Sequence, residues 1–232
     1  KLGQPVYKLW GLDKSKAPLT SFTIGIDAPK VLTQKILEAE EYPILKVKLG
    51  TDDDKAIVAT VRKETKKPIR VDANEGWKTK ELALERIKWL EQEGVELVEQ
   101  PLPATDLAGC ACLRERVSLP LIADESCVRL QDIPKLRDAF DGINIKLMKC
   151  GGLREANRMI HASRALGMKI MIGCMVESSI AVTAAAHLSP LADYADLDGN
   201  LLVTDDPFEG VKVREGKLIL NDEPGLGVNP RD

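Results

Sequence analysis

Ile44-Leu45-Lys46-Val47-Lys48-Leu49 decides how the rest of this 232-residue chain is read. Its β-branched and aliphatic residues, closed by Gly50, make it a strand. Residues two apart in a strand point the same way, so Lys46 and Lys48 share one face while Leu45, Val47 and Leu49 take the other. Two ammonium groups side by side repel each other and are costly to bury unless carboxylates, a metal or a substrate anion compensates. Two readings follow: an edge strand that uses lysine against aggregation, or a central strand with its compensation elsewhere in the chain.

Working outward, strand-like runs recur at residues 20–26, 68–72, 95–99, 119–124, 142–146, 168–173 and 194–197. Helical spacing of apolar residues marks 29–41, 52–65, 79–93, 106–116, 131–140, 153–166 and 178–188. Consecutive strand ends fall about 22 to 27 residues apart, the period of parallel βα units. Eight strands alternating with seven helices predict an α/β fold, a closed TIM-like (β/α)7β barrel. An open doubly wound sheet is the weaker reading, because no GxGxxG follows the first strand. Residues 211–214 and 217–220 alternate around Glu215-Gly216 as a short C-terminal hairpin, followed by an irregular tail.

Functional groups of a parallel barrel converge at the carboxyl ends of its strands. In order, these ends carry Lys46 and Lys48, Asp72, Glu99, Asp124, Lys146, then Cys174, then Asp196 and Asp198. Any one of the acids alone reads as a salt bridge or helix cap. Together, at nearly one height, they read as a site. Asp72, Glu99 and Asp124 end three neighbouring strands, and three such anions repel unless a cation lies between them. An all-oxygen set with room for water or substrate suits one Mg²⁺ per site. Lysines from the second and sixth strands approach from opposite sides. A lysine near other cations has its pKa lowered from about 10.4, which makes it a base near neutrality; Lys46 and the metal are expected to act so on Lys48.

The gross numbers exclude other classes. A net charge of -3 offers no basic footprint for nucleic acid or an anionic membrane. No apolar run approaches the roughly 18 to 20 residues that span a bilayer. The five cysteines are odd in number and lack CxxC spacing, which argues against a disulfide framework or zinc site and for a reducing, cytoplasmic setting. The two histidines, His161 and His187, fall in helical patterns and read as surface or packing residues, leaving acid/base chemistry to lysines and carboxylates.

Taken together, the Lys-x-Lys strand, Asp72-Ala73-Asn74, Glu99-Gln100-Pro101, Asp124-Glu125-Ser126 and Asn144-Ile145-Lys146-Leu147-Met148-Lys149 before Gly151-Gly152 resemble the enolase superfamily, muconate-cycloisomerase-like branch. Gly173-Cys174-Met175-Val176-Glu177-Ser178 is similar to the seventh-strand segment of that branch's dipeptide epimerases, and Asp196-Leu197-Asp198 to their Asp-x-Asp pair. The resemblance implies a Mg²⁺-dependent isomerase that inverts the α-carbon of the C-terminal residue of a dipeptide, by two-lysine 1,1-proton transfer through an enediolate. It implies Lys48 and Lys146 as the catalytic pair, Asp72, Glu99 and Asp124 as metal ligands, and Lys46 as the carboxylate-binding neighbour that tunes Lys48. Asp196 and Asp198 would hold the substrate ammonium, with Cys174 and Met175 also in the substrate-binding set. Family members carry an N-terminal capping domain. Residues 1–18 are therefore expected to be a lead-in from a capping domain absent here, 19–204 the catalytic barrel, and 205–232 a hairpin and tail packing back toward that domain. A homo-oligomer is implied by analogy alone. An o-succinylbenzoate synthase, N-acylamino-acid racemase or cycloisomerase would share the same metal and lysines, and a non-catalytic ligand-binding barrel would use the charges as ion networks.

Overall fold

The computed structural model describes residues 2–231. After a short helix α1 (Val6–Leu9), the chain alternates strand and helix: β1 (Phe22–Ile24), α2 (Pro29–Glu38), β2 (Leu45–Lys48), α3 (Asp54–Glu64), β3 (Ile69–Asp72) and α4 (Lys80–Leu90). It continues with β4 (Val95–Glu99), α5 (Leu107–Arg114), β5 (Leu121–Ala123), α6 (Ile133–Leu136), β6 (Gly142–Lys146), α7 (Leu147–Cys150) and α8 (Leu153–Ala165). Then come β7 (Lys169–Gly173), α9 (Ser179–Ala186) and β8 (Tyr194–Asp196). The eight strands pair in sequence order, all parallel. A parallel bridge between Thr20 and Ala195, with the Ser21 N–H donating to the Ala195 carbonyl at 3.1 Å, joins the last strand to the first. The expected barrel is present. Its first strand is shorter than the 20–26 run because residues 20 and 21 turn to β8 while 22–24 pair with β2.

The lysine strand is central. Lys46 lies opposite Thr23 on one side and Arg70 on the other, and Lys48 lies opposite Asp72. The aggregation-guard reading is therefore overturned. The outward residues Leu45 and Val47 are fully buried against the helices, in the same cluster as Val58, Val61, Val71 and Ile145. Each such side chain stabilises the fold by about 1.5–3 kcal/mol, which offsets the presence of charge on the opposite face. Inside the barrel a small apolar layer of Leu97, Ile122 and Met171, packed on Tyr194, closes the floor. Arg70 is stacked over the Tyr194 ring at 5.2 Å. Above that layer the interior turns polar.

Three local differences from the sequence reading have physical reasons. The helix expected over 131–140 is a 3-10 turn, Leu130–Asp132, followed by the single turn α6. Pro134 lies in the first turn of α6, where its missing N–H costs no helical bond, and Asp132 Oδ2 accepts from the Val128 and Arg129 N–H groups instead of continuing a helix from residue 131. A further single turn, α7, follows Lys146 directly. Gly199–Leu202 forms a 3-10 turn after β8.

The tail is more ordered than its sequence indicated. β10 (Lys212–Arg214) and β11 (Lys217–Ile219) form the expected hairpin, and β9 (Phe208–Glu209) pairs with β12 (Asn229–Pro230). Residues before the barrel bind both this tail and the end of α9: the Val6 N–H donates to the Gly225 carbonyl at 2.9 Å and the Tyr7 N–H to His187 Nδ1 at 3.2 Å. With Nδ1 accepting, Nε2 carries the proton toward the Leu226 carbonyl at 3.1 Å. His187 is thus a packing residue and His161 an exposed one.

Candidate active site

At the carboxyl ends of the strands lies a cavity of about 290 Å³, lined by Lys46, Lys48, Asp124, Lys146, Cys174, Met175, Asp196 and Asp198 among others. Beneath it, Asp72, Glu99 and Asp124 each place a carboxylate oxygen within 4.8 Å of the other two. Register explains the convergence. Asp72 and Glu99 are cross-strand partners, and Asp124 immediately follows β5.

The loops that hold these ends are specialised. Asn74 (φ 41), Glu75 (φ 62) and Gln100 (φ 36) leave β3 and β4 in the left-handed region, which non-glycine residues rarely adopt. Gln100 is held there because its Oε1 accepts from the Asp124 and Ser126 N–H groups at 3.0 and 3.1 Å, shaping the turn that carries Asp124. Gly50 and Gly76 touch backbone to backbone, so a Cβ at either would collide with the loop after the neighbouring strand.

Lys46 is almost fully buried, with Nζ at 2.7 Å from Asp196 Oδ2, 2.8 Å from Glu99 Oε2 and 3.0 Å from Asp72 Oδ2. Burial alone would lower its pKa, but Asp196, Asp72 and Glu99 outweigh it and hold Lys46 well above the ordinary lysine value. It is a fixed cation. Glu99 Oε1 accepts from Asn144 Nδ2 at 2.8 Å, whereas its buried Oε2 receives no hydrogen bond, Lys46 lying at ion-pair distance but off the bonding direction. Burial and the adjacent Asp72, opposed by Lys46, lift Glu99 to about 7. An unsatisfied carboxylate oxygen facing two further buried carboxylates fits a hard divalent cation such as Mg²⁺.

Two lysines flank this cluster. Lys48 Nζ donates to Asp72 Oδ2 at 2.7 Å and Asn74 Oδ1 at 2.8 Å. Lys146 Nζ donates to Asp124 Oδ2 at 2.7 Å. Burial works against the Lys146 charge, but Asp124 and Glu99 raise its pKa above the lysine value. Lys149, on α7, pairs with Asp124 Oδ1 and donates to the Asn144 carbonyl at 3.2 Å. Burial would raise the Asp124 pKa; Lys149 and Lys146 reverse this and hold it far below the usual carboxylate range.

Of the Asp-x-Asp pair, Asp196 is committed to Lys46 and to the Ser21 hydroxyl at 2.7 Å. Asp198 Oδ2 accepts from the Thr23 N–H at 2.7 Å, and burial together with Asp196 pushes its pKa up to about 6. Cys174 Sγ donates to the Asp196 carbonyl and accepts from the Gly199 N–H, both at 3.3 Å; burial raises its pKa, so the thiol is a wall and not a nucleophile. Met175 stands 44% exposed at the cavity rim.

Every residue singled out from the sequence is therefore drawn to one place. Lys149, Asn74, Glu125 and Thr23 also line the cavity, and the sequence alone gives them no role. Lys149 lies three residues after Lys146, the spacing of one helical turn, which was the available signal.

The family model described as enolase C-terminal domain-like matches residues 30–232. The chain belongs to this family. Within the enolase C-terminal domain-like family it is 53% identical over 228 residues to the L-Ala-D/L-Glu epimerase of Bacteroides thetaiotaomicron, covering 98% of this chain and 60% of that protein. The crystal structure of the dipeptide epimerase from Enterococcus faecalis V583, complexed with Mg and the dipeptide L-Leu-L-Tyr, matches with a TM-score of 0.89 at 38% identity, over 97% of this chain and 67% of that one. The N-succinyl Arg/Lys racemase of Bacillus cereus ATCC 14579 matches with a TM-score of 0.92 at 30% identity, over 99% of this chain and 65% of that one. The chain spans about 60% of the length of the Bacteroides relative. Barrel shape alone does not separate the two substrate classes.

Proposed function

We propose that this chain carries the active site of a Mg²⁺-dependent dipeptide epimerase that inverts the α-carbon of the C-terminal residue. The observation that carries the reading is the pair Lys48 and Lys146, held on Asp72 and Asp124 at two sides of one three-carboxylate cluster. Two bases on opposite faces allow inversion, since a single base would return the proton to the side it left. Lys48 takes the α-proton from one face while protonated Lys146 delivers its own to the other; for the opposite epimer the roles exchange. Mg²⁺, held by Asp72, Glu99 and Asp124, would supply positive charge to the substrate carboxylate as negative charge develops there. Lys46, a fixed cation, adds to that charge.

Asp198, with Asp196 behind it, is the proposed seat of the dipeptide's ammonium group. This is what separates a dipeptide from an N-succinyl amino acid, which has no such cation. Turnover of both substrate classes by wild-type protein and by Asp198→Asn tests the choice. Loss confined to dipeptides is expected; robust turnover of N-succinyl amino acids, indifferent to Asp198→Asn, would place the chain with the racemases. No described helix is long and apolar enough to cross a membrane. We place the protein in the cytoplasm, a reading supported by its five free cysteines.

A further inference from the structure

Lys48 reaches the cavity on a long, flexible side chain that is 27% exposed, against 6% for Lys146. A packed lysine is aimed by its walls. A part-exposed one is aimed by its hydrogen bonds, because little else restricts its rotamers. One of those bonds is to Asp72, and the other is to Asn74 Oδ1.

Asn74 has its own orienting partner. Its Nδ2 donates to Glu125 Oε1 at 3.0 Å, so the amide group is fixed with its oxygen toward Lys48 and its NH₂ toward the acid. Glu125 comes from the loop after β5 and lines the same cavity, and its buried Oε2 accepts no hydrogen bond among the described residues. The Asn74 backbone N–H, not its side chain, holds Asp72 Oδ1 at 3.0 Å. The two duties of this residue are therefore separable: the backbone braces a carboxylate and the side chain braces a lysine. Its φ of 41 suits that division, since asparagine tolerates the left-handed region better than most residues.

We propose that Asn74, oriented by Glu125, is the positioning residue that aims Lys48 at the α-carbon of the substrate. The proposal rests on the epimerase reading above. A lysine released from Asn74 would spread over several rotamers and meet the α-proton less often in a reactive geometry. The defect would fall on one face of the substrate, because Lys146 keeps its own partners.

The test measures initial α-deuterium incorporation in D₂O with Mg²⁺ and full-length protein, starting separately from each epimer of one dipeptide. Asn74→Gly removes the side chain while leaving the left-handed backbone accessible. Incorporation from one epimer is expected to fall about 10–100-fold, and from the other much less. Glu125→Ala should impair the same epimer, and Glu125→Gln, which keeps an oxygen acceptor for Asn74, should recover part of that loss. Equal losses from both epimers, or Glu125→Gln no better than Glu125→Ala, would overturn the proposal. Loss of calorimetric Mg²⁺ binding in Asn74→Gly would also overturn it, since the side chain would then be supporting the carboxylates. Wild-type protein that exchanges neither epimer sinks the epimerase reading itself, a result distinct from any of these.

Discussion

The two sides of the cavity solve one problem with different chemistry. On each, a lysine donates to one oxygen of a buried aspartate, and the aspartate's second oxygen is held by a further donor. On the Lys48 side that donor is the neutral Asn74 N–H; on the Lys146 side it is the cationic Lys149. Asp124 therefore carries two ammonium groups of its own, whereas Asp72 shares Lys46 with Glu99 and Asp196. Lys146 is packed and Lys48 partly exposed. The bases are matched in function while their supports are not, so damage to one side need not resemble damage to the other.

The largest effect should come from the lysines themselves. Lys48→Ala and Lys146→Ala are each expected to lower epimerisation by about 10²–10⁴-fold. Each should still exchange the α-proton of one epimer without inversion, and the epimer spared should differ between the two variants. Deuterium incorporation followed by chiral separation checks this; the same epimer surviving in both variants would remove the two-sided picture.

The supports come next. Lys149→Met leaves a buried carboxylate short of one charged partner and should destabilise the protein by about 1–3 kcal/mol without Mg²⁺, with a smaller loss when Mg²⁺ saturates the site. Asn74→Gly should cost less, because the backbone donor to Asp72 survives. Denaturant melts with and without Mg²⁺ compare the two. Equal losses, insensitive to the metal, would show that the charge difference between the two supports has no energetic consequence.

The smallest effect concerns Asp198. Its folded pKa of about 6 lies above the ordinary value of 3.8. Its contribution to stability is thus fully present below the unfolded value and is lost as pH rises through about 6. Asp198→Asn should accordingly stabilise the protein at neutral pH, by on the order of 1 kcal/mol, while weakening dipeptide binding. In the wild type, KM for a dipeptide should climb as pH falls below about 6 and the acid becomes protonated, a limb that Asp198→Asn should lack. A KM profile flat through this range in the wild type would detach Asp198 from the ammonium.

The barrel was legible in the chain because parallel strands buried on both faces are recurrent aliphatic runs, and because charges at their ends interrupt those runs at a constant period. The lysine strand shows the limit of reading one element alone: Lys46 and Lys48 look like an edge until Asp72, Glu99, Asp124 and Asp196 are placed around them. What escaped was set by short turns. Lys149 enters the site only because α7 begins directly after Lys146, and a single helical turn leaves no hydrophobic period to detect. Asn74 and Glu125 meet only through the left-handed exit of β3 and the turn templated by Gln100, features of φ angles that no residue spacing encodes. The split of the expected 131–140 helix likewise came from a local capping arrangement around Asp132.

Incubation of full-length protein with Mg²⁺ and a dipeptide library in D₂O decides whether the two lysines and the carboxylate cluster move an α-proton. Deuterium is expected at the α-carbon of the C-terminal residue, accompanied by inversion and abolished by a chelator. Absence of α-deuterium across the library would contradict the epimerase reading and leave the lysines and acids as an ion network within a non-catalytic barrel.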